Sequence, residues 1–341
     1  MKHLKKISAV ALTMAMAASL AACGGSGSGS APAASTAPEA SAPAGGDADK
    51  TYTVGVVQQM QHVALDAATQ GFQDALKEKL GDKVDIQVQN ASGDSNNCNT
   101  IVSSFLSNGV DLMMANGTTA LQAAAAATEE VPILGTSITE YGVALDLTDF
   151  DGTTGFNVSG TSDLAPLDQQ AEMIHEWFPD AKTVGLLSCS AEPNSAYQVN
   201  TVQGYLEDMG YTCTSYTFSD SNDLAAVAES ACANSDVMYI PTDNTAAQNA
   251  ELIGNIAVAA KTPIIAGEEG ICSGCGVATL TISYYDIGYA TGEMAYEILV
   301  NGADPATMPI QYAPQFTKEY NPTICEELGL TPPEGYQAIG E

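Results

Sequence analysis

Small polar residues stand where a predicted strand gives way to a helix. Thr118 and Thr119 follow the apolar strand 111–115 and open an alanine-rich segment, 120–127. Hydroxyls and free backbone amides at a helix N-terminus are typical of a carboxylate-binding site. The same two residues would also serve as ordinary helix caps, and their position alone favours neither interpretation. Because the chain has no arginine to bind a carboxylate, we predict that the hydroxyls and backbone amides around Thr118 and Thr119 receive one.

Carboxylates occupy comparable turns in the second half of the chain. Asp243, between Thr242 and Asn244, follows an apolar strand and is predicted either to accept hydrogen bonds from a ligand ammonium or to cap the next helix. Glu268 and Glu269 follow another such strand, where they suit an ammonium, a sugar hydroxyl or a metal. Because consecutive residues of an extended chain point opposite ways, we expect at least one of these two to be solvated.

Two further loops complete the candidate site. One follows the first strand and contains His62, whose alternative role is that of a capping or surface residue. The other follows the matching strand of the second half, and we expect the two loops to face each other. The full set of predicted ligand-binding residues is Gln58, His62, Thr118, Thr119, Ser137, Glu192, Asn194, Ser195, Thr242, Asp243, Asn244, Glu268 and Tyr284.

The tyrosine pair Tyr284 and Tyr285 precedes a predicted helix over 287–299. We expect one tyrosine to pack and the other to face the cleft, where stacking on a ligand ring would contribute roughly 0.5–1.5 kcal/mol beyond buried area.

Enzyme chemistry finds little support. The chain has three His, and no Gly-x-Ser-x-Gly motif, phosphate loop or pair of metal-binding His. Cys272 and Cys275 have redox or half-zinc spacing, but no second pair completes a metal site, so a local disulfide or two free thiols is expected. Cys189, Cys213 and Cys232 are predicted to belong to the core. We therefore predict a non-enzyme that needs no metal or other cofactor.

Short apolar strands alternate with segments that carry apolar residues at helical spacing, such as 64–80. This alternation predicts an α/β fold with buried parallel sheets. The predicted strands are 52–57, 111–115, 131–134, 183–187, 237–240 and 263–266.

An internal repeat divides the body into two similar lobes. The segments 53–57, 70–72, 111–113 and 131–133 recur, in the same order, as 183–187, 203–205, 236–238 and 262–264. Two doubly wound lobes place a cleft at the carboxyl ends of their strands, where open α/β sheets bind ligands. Chance similarity between any two α/β sheets is the alternative.

The charge balance excludes a nucleic-acid partner. The 341 residues contain 41 Asp and Glu against 10 basic residues, all of them Lys, for a net charge of −31. A chain this acidic, without arginine, repels phosphate groups.

The first 22 residues resemble a lipoprotein signal peptide: three Lys, a short apolar run and the box Leu20-Ala21-Ala22 before Cys23. Their removal would change the net charge from −31 to −34. Residues 23–50, rich in Gly, Ser, Ala and Pro, are predicted to be a flexible linker from the lipidated Cys23, reaching roughly 28 Å. A lipid-anchored protein on the extracytoplasmic face of the cell membrane is therefore expected.

Beyond residue 50 the sequence resembles substrate-binding lipoproteins of ABC transporters, of the tryptophan- and tyrosine-binding type, with a type I periplasmic-binding fold. The resemblance covers about residues 51–315. It is carried by Gln58-x-x-x-His62-x-x-Leu65-Asp66, Gly93-Asp94, the run 191–195 (Ala-Glu-Pro-Asn-Ser), the run 241–245 (Pro-Thr-Asp-Asn-Thr) and the run 283–288 (Ser-Tyr-Tyr-Asp-Ile-Gly). The chain departs from the usual family pattern at 116–122 and 139–141, at strand ends facing the expected cleft.

The resemblance implies a small amphipathic ligand, with an aromatic amino acid favoured, and delivery to ABC permease and ATPase subunits. A sugar or nucleoside ligand, or a sensor that presents its closed form to a membrane receptor, stays open as an alternative. The family resemblance also implies that helix 287–299 returns to the first lobe. The expected domains are 51–160 with 287–308, and 161–286 with 309–341.

Overall fold

The computed structural model describes residues 50–340 as two α/β lobes. The predicted signal peptide, Cys23 and most of the linker lie outside the described residues. Within 50–340, no helix combines the length and the apolar character needed to cross a bilayer.

The first lobe contains a six-stranded, wholly parallel sheet. Its strands are β1 (Tyr52–Gln58), β2 (Val84–Asn90), β3 (Leu112–Asn116), β4 (Ile133–Ile138), β5 (Val158–Ser162) and β11 (Gln311–Tyr312). They lie side by side in the order β2-β1-β3-β4-β5-β11. The central strands are buried on both faces, as parallel sheets covered by helices require.

The second lobe contains a seven-stranded sheet. Its strands are β6 (Thr183–Cys189), β7 (Thr212–Phe218), β8 (Val237–Ile240), β9 (Ile264–Ala266), β10 (Ala278–Thr281), β12 (Thr317–Tyr320) and β13 (Gln337–Ala338). The order is β7-β6-β8-β9-β10-β12-β13, with one antiparallel pair, β10 and β12.

Helices cover both faces of each sheet. Those of the first lobe are α1 (Val63–Leu80), α2 (Ser95–Asn108), α3 (Thr118–Ala127), α4 (Tyr141–Ala144) and α11 (Tyr284–Asn301). Those of the second are α5 (Leu167–Trp177), α6 (Pro193–Asp208), α7 (Leu224–Ala233), α8 (Asn244–Gln248), α9 (Ala250–Ala260), α10 (Glu269–Gly274) and α12 (Pro322–Leu328). Single 3-10 turns occupy Gly81–Lys83 and Pro305–Thr307.

The sequence repeat corresponds to the two sheets. Strands β1, β3 and β4 are adjacent in the first sheet, and their repeats β6, β8 and β9 are adjacent in the second. The predicted α/β fold with two parallel-sheet lobes is confirmed, because equivalent sequence segments hold equivalent sheet positions. The carboxyl ends of both sets of strands border the space between the lobes.

The chain passes between the lobes three times: after β5, between β10 and α11, and between β11 and β12. The structure places these crossings slightly away from the expected boundaries. Strand β11 pairs with β5, so residues up to Tyr312 belong to the first lobe rather than ending there at 308. Helix α11 begins at Tyr284, earlier than the predicted 287, because the Ser283 hydroxyl accepts a hydrogen bond from the amide of Asp286 and caps it.

Helix α11 packs directly along α1, which ties the third segment of the chain to the first lobe. Gly71 of α1 faces the backbone of Tyr285, and Gly288 of α11 faces the backbone of Ala68. A side chain at either glycine would collide with the opposite helix backbone, so these positions set the closeness of the two helices.

All seven cysteines of the described part of the chain are free. Cys272 and Cys275 are fully buried thiols, not a disulfide, and burial raises the pKa of both. Cys189 and Cys232 are buried in the core of the second lobe, and Cys213 is partly buried beside it. Residues 50–340 contain no cluster of three or more His, Cys, Asp or Glu side chains arranged for a metal.

Candidate functional site

A polar cavity lies between the lobes, at the carboxyl ends of the strands of both sheets. About 270 Å³ of empty space, part of it open to solvent, lies among its wall atoms. Its wall is formed by His62, Leu65, Ser137, Asp163, Asn194, Thr242, Asp243, Asn244, Ala247, Glu268 and Tyr284. Eight of the thirteen residues predicted from the sequence are in this wall, and Asp163 is a member that the sequence analysis missed.

Direct hydrogen bonds join the two lobes around the cavity. His62 Nε2 lies 3.1 Å from Asn244 Oδ1, and Thr139 Oγ1 lies 3.3 Å from Thr242 Oγ1. Gln198 Nε2 reaches the same Thr139 hydroxyl at 3.5 Å. These contacts need both lobes to approach, so the structure shows the closed arrangement of the cleft.

Four buried polar atoms in the cavity wall have no hydrogen-bond partner in the described part of the chain. They are His62 Nδ1, Ser137 Oγ, Asp163 Oδ1 and Asn194 Oδ1. A buried polar atom without a partner costs about 1–3 kcal/mol, and folded proteins rarely tolerate one. Among residues 50–340, eight buried side-chain atoms lack a partner, and half of them belong to residues of this one cavity wall, where a bound molecule could supply the missing hydrogen bonds.

Asp163 lies at the first chain crossing, directly after β5. Its Oδ2 accepts a hydrogen bond from the Tyr284 hydroxyl, at 3.0 Å, and its backbone amide donates to the Ile138 carbonyl. Burial raises the pKa of Asp163 to about 6, and hydrogen bonds from Thr139 and Tyr284 oppose that rise. One oxygen of the carboxylate is thus held by Tyr284, and the other has no partner among residues 50–340.

Ser137 sits near the end of β4, with a φ of 55° that L residues rarely adopt. The pairing of β4 with β5 shifts register between Gly135 and Ile138, which creates the local bend. The backbone is therefore strained at a residue of the cavity wall.

Asn194 is the second residue of α6 and lines the cavity. Its Nδ2 donates to the Thr242 carbonyl at 2.9 Å, which fixes the amide orientation and leaves Oδ1 free to accept. The adjacent Ser195 is fully buried behind it and does not line the cavity.

Asp243 lines the cavity, but both of its oxygens are engaged by the backbone. Oδ1 accepts from the amide of Ala246 at 2.8 Å, and Oδ2 accepts from the amide of Cys189 at 2.6 Å. Burial and the neighbouring Glu192 raise the pKa of Asp243. Of the two roles considered for this residue, the structure shows helix capping.

Glu268 is likewise a helix cap in the cavity wall. Its two oxygens accept hydrogen bonds from the amides of Gly270 and Ile271, at the start of α10. Burial raises the pKa of Glu268 to about 7. Neither oxygen is unpartnered, which sets this carboxylate apart from Asp163.

Glu192 stands one layer behind the cavity. Its Oε2 accepts from the Asn244 side-chain amide at 2.7 Å, and its Oε1 accepts from the Thr245 hydroxyl at 2.8 Å. The carboxylate therefore positions Asn244 instead of facing the cavity, which is why Glu192 is absent from the wall.

The carboxylate-binding site predicted at Thr118 and Thr119 does not lie in the cavity wall. Thr118 and Thr119 do begin α3, as expected, but the Thr119 amide is engaged by Gln59 Oε1 at 2.9 Å. The Gln58 side chain is engaged inside the first lobe, where its Oε1 accepts a hydrogen bond from the Thr69 hydroxyl. None of these side chains is in the wall.

The expectation for the two tyrosines holds only in part: Tyr284 lies in the cavity wall, but Tyr285 is exposed at the surface instead of packed. Tyr284 is buried in the cavity wall and donates to Asp163, while Tyr285 is exposed and donates to Asp74 on α1. The hydroxyl of Tyr284 thus has a structural task that the sequence analysis did not foresee.

Two α/β lobes joined by three crossings, with a closed polar cavity between them, define a two-lobe solute-binding protein. The chain belongs to the family described as ABC transporter substrate binding protein, whose sequence model matches residues 53–338. Family membership confirms the prediction that the chain binds a solute and is not an enzyme.

Two similar proteins match this chain over most of its length. A tyrosine-binding protein of Clostridioides difficile is 34% identical over 267 residues, covering 77% of both chains. A Streptococcus pneumoniae ABC domain solved with L-Trp is 32% identical, with a TM-score of 0.81 over 85% of this chain and 100% of that one.

A ligand-free, open substrate-binding protein from Clostridium difficile shows how strongly the lobe arrangement affects the comparison. It is 34% identical, over 85% of this chain and 99% of that one, yet its TM-score is only 0.65. Sequence identity is similar for the two structures, so the lower score agrees with the closed cleft described above.

Proposed function

We propose that this protein binds the zwitterion of a free aromatic amino acid between its lobes. The observation that carries the proposal is the set of four unpartnered atoms in the cavity wall. Asp163 Oδ1 and Asn194 Oδ1 can only accept hydrogen bonds from a donor such as an ammonium, and the Ser137 hydroxyl supplies a third acceptor. The negative charge of Asp163 favours a cationic donor further.

The aromatic class of ligand is supported by the relatives. One is named a tyrosine-binding protein and another was solved with L-Trp, and both are above 30% identical to this chain. The cavity wall also has apolar and aromatic portions, at Leu65, Ala247 and Tyr284, against which a ring would pack.

Closure over the ligand would be signalled to an ABC permease with its ATPase subunits. A ligand can close the cleft only if it binds the closed state better than the open one. Asp163 and Tyr284 stand on two different crossings and bond to each other, so a ligand held by Asp163 stabilises the hinge in its closed geometry. A sensor would share this cleft, and gene neighbours that encode a permease and an ATPase would favour transport.

We also propose that Cys23 is lipidated after signal-peptide removal and anchors the protein to the extracytoplasmic face of the membrane. Changing Cys23 to Ala should release the processed protein into the soluble fraction. If the processed variant stays in the membrane pellet after a high-salt wash, the anchor proposal is wrong.

Calorimetric titration of residues 50–341 tests the ligand class. We expect tyrosine or tryptophan to bind, and the deaminated acid to bind at least about 100-fold more weakly. The carboxamide should lose less affinity than the deaminated acid does, because the unpartnered wall atoms are mainly acceptors. Binding of a sugar or nucleoside, with no response to aromatic amino acids, would overturn the proposal.

A further inference from the structure

Glu192 fixes the orientation of the Asn244 side-chain amide. An ionised carboxylate only accepts hydrogen bonds, and Glu192 Oε2 lies 2.7 Å from Asn244 Nδ2 and 3.0 Å from the backbone nitrogen of the same residue. The backbone nitrogen and hydroxyl of Thr245 hold the second oxygen. The amide nitrogen of Asn244 therefore faces Glu192, and its Oδ1 faces the opposite lobe.

This orientation determines the tautomer of His62. Asn244 Oδ1 is an acceptor, so His62 Nε2, 3.1 Å away, must carry the proton and donate. Burial lowers the pKa of His62, which favours the neutral ring. A neutral ring with a proton on Nε2 has a lone pair on Nδ1, and Nδ1 is consequently a hydrogen-bond acceptor.

His62 Nδ1 is buried in the cavity wall and has no partner among residues 50–340. An ammonium has three N–H bonds, and Asp163, Asn194 and Ser137 already provide three acceptors for them. The fourth acceptor is left for a different donor on the ligand.

His62 and Asp163 also have separate surroundings. Asp163 is hydrogen-bonded to Tyr284 and lies near Thr139, whereas His62 is bonded to Asn244 and lies near Glu192. No neighbour is common to the two sets. A ligand held by its ammonium at Asp163 leaves His62 Nδ1 to a second donor, and in the zwitterion of an aromatic amino acid the only remaining donor is on the side chain.

We propose that His62 Nδ1 accepts a hydrogen bond from the ligand's side chain, so that the site selects an indole N–H or a phenol O–H over an unsubstituted phenyl ring. This inference rests on the proposed function and narrows its substrate class. A site built to accept from a donor leaves a buried acceptor unpaired when the ligand lacks that donor, and discrimination is then strong.

Dissociation constants for tyrosine, tryptophan and phenylalanine, measured by calorimetry on residues 50–341, test the inference. We expect the better of the first two to bind at least about tenfold more tightly than phenylalanine. His62→Leu should reduce that preference to within about threefold. His175→Leu is the matched control, because His175 is an exposed histidine of α5 that bonds only to Tyr211 in the second lobe.

Methylated ligands keep the test decisive even if His62→Leu folds poorly. O-methyltyrosine and 1-methyltryptophan have no side-chain donor, so each should bind the wild-type protein at least about tenfold more weakly than its parent amino acid. The N-acetylated amino acids test the ammonium end of the ligand separately. Equal binding of phenylalanine, or a preference that survives in His62→Leu, would overturn the inference and leave the proposed function intact. Failure of all three amino acids to bind would overturn both.

Discussion

Two buried aspartates in the cavity wall illustrate how similar surroundings can serve different purposes. Asp243, at the start of α8, has both oxygens occupied by backbone amides, at 2.8 and 2.6 Å. Asp163, at the hinge, has one oxygen held by Tyr284 and one without a partner. Burial raises the pKa of both carboxyls. Burial and a shifted pKa are common to both carboxyls, so it is the unpartnered oxygen that distinguishes Asp163 as the proposed binding group.

The largest expected effect comes from Asp163→Asn. It removes the negative charge while keeping the size of the side chain, so we expect affinity for the amino acid to fall at least about 100-fold. The melting temperature of the ligand-free protein should stay the same or rise, because a buried, half-satisfied charge has been removed. Thr119→Ala is the control, since Thr119 is outside the cavity wall, and its affinity should stay within about twofold.

Asp243→Ala should have the opposite profile. The change removes a helix cap and leaves the Cys189 amide unpaired, so we expect the free energy of unfolding to fall by about 2–3 kcal/mol. Affinity should change by less than about fivefold. Chemical denaturation and calorimetry measure the two quantities. A large loss of affinity at an unchanged melting temperature would show that Asp243 contacts the ligand after all.

As pH rises, affinity for the ligand and the stability contributed by Asp163 should change in opposite directions. The pKa of Asp163 is about 6 in the folded protein, against 3.8 for an ordinary aspartate. Its ionised form binds an ammonium, so affinity should rise about tenfold between pH 5 and pH 7. The folded state holds this proton more tightly than the unfolded chain does, so the stability contributed by Asp163 is greatest below pH 4 and is lost as pH rises through 6.

Comparing the wild type with Asp163→Asn isolates this effect, because both variants share the same background of acidic residues. The difference in unfolding free energy between them should change by no more than roughly 3 kcal/mol across the range. Parallel pH curves for the two proteins, in binding or in stability, would contradict the assignment.

Tyr284→Phe should reduce affinity far less than Asp163→Asn does. It removes the hydroxyl that holds Asp163 Oδ2 but keeps the ring in the wall. We expect affinity to fall about threefold to tenfold. Adding Tyr284→Phe to Asp163→Asn should change the affinity of Asp163→Asn only slightly. A loss in the double variant equal to the product of both would indicate that Tyr284 contacts the ligand directly.

The sequence predicted the sheets better than the site. Apolar runs marked β1, β3 and β4 and their repeats, because strands buried on both faces need continuous apolar residues. Strand β5, Val-Ser-Gly-Thr-Ser, is equally buried but has almost no apolar residues, so its periodicity could not reveal it. Asp163 follows that strand, and missing β5 meant missing Asp163.

The roles of the polar residues depended on pairings that no sequence spacing specifies. Asp243 and Glu268 were found at strand ends, but only the structure shows that backbone amides occupy their oxygens. Thr118 and Thr119 were correctly placed at a helix start, yet the amide of Thr119 is taken by Gln59. The one available signal for Asp163 was its position between a strand of small residues and a helix introduced by Pro166.

The central claim is that Asp163 Oδ1 receives the ligand's ammonium. A double-mutant cycle measures it directly, by titrating the wild type and Asp163→Asn with the aromatic amino acid and with its deaminated analogue. We expect strong coupling: the amino group should improve affinity at least about 100-fold in the wild type and by less than about fivefold in Asp163→Asn. Equal contributions of the amino group in both proteins would show that the ammonium binds elsewhere.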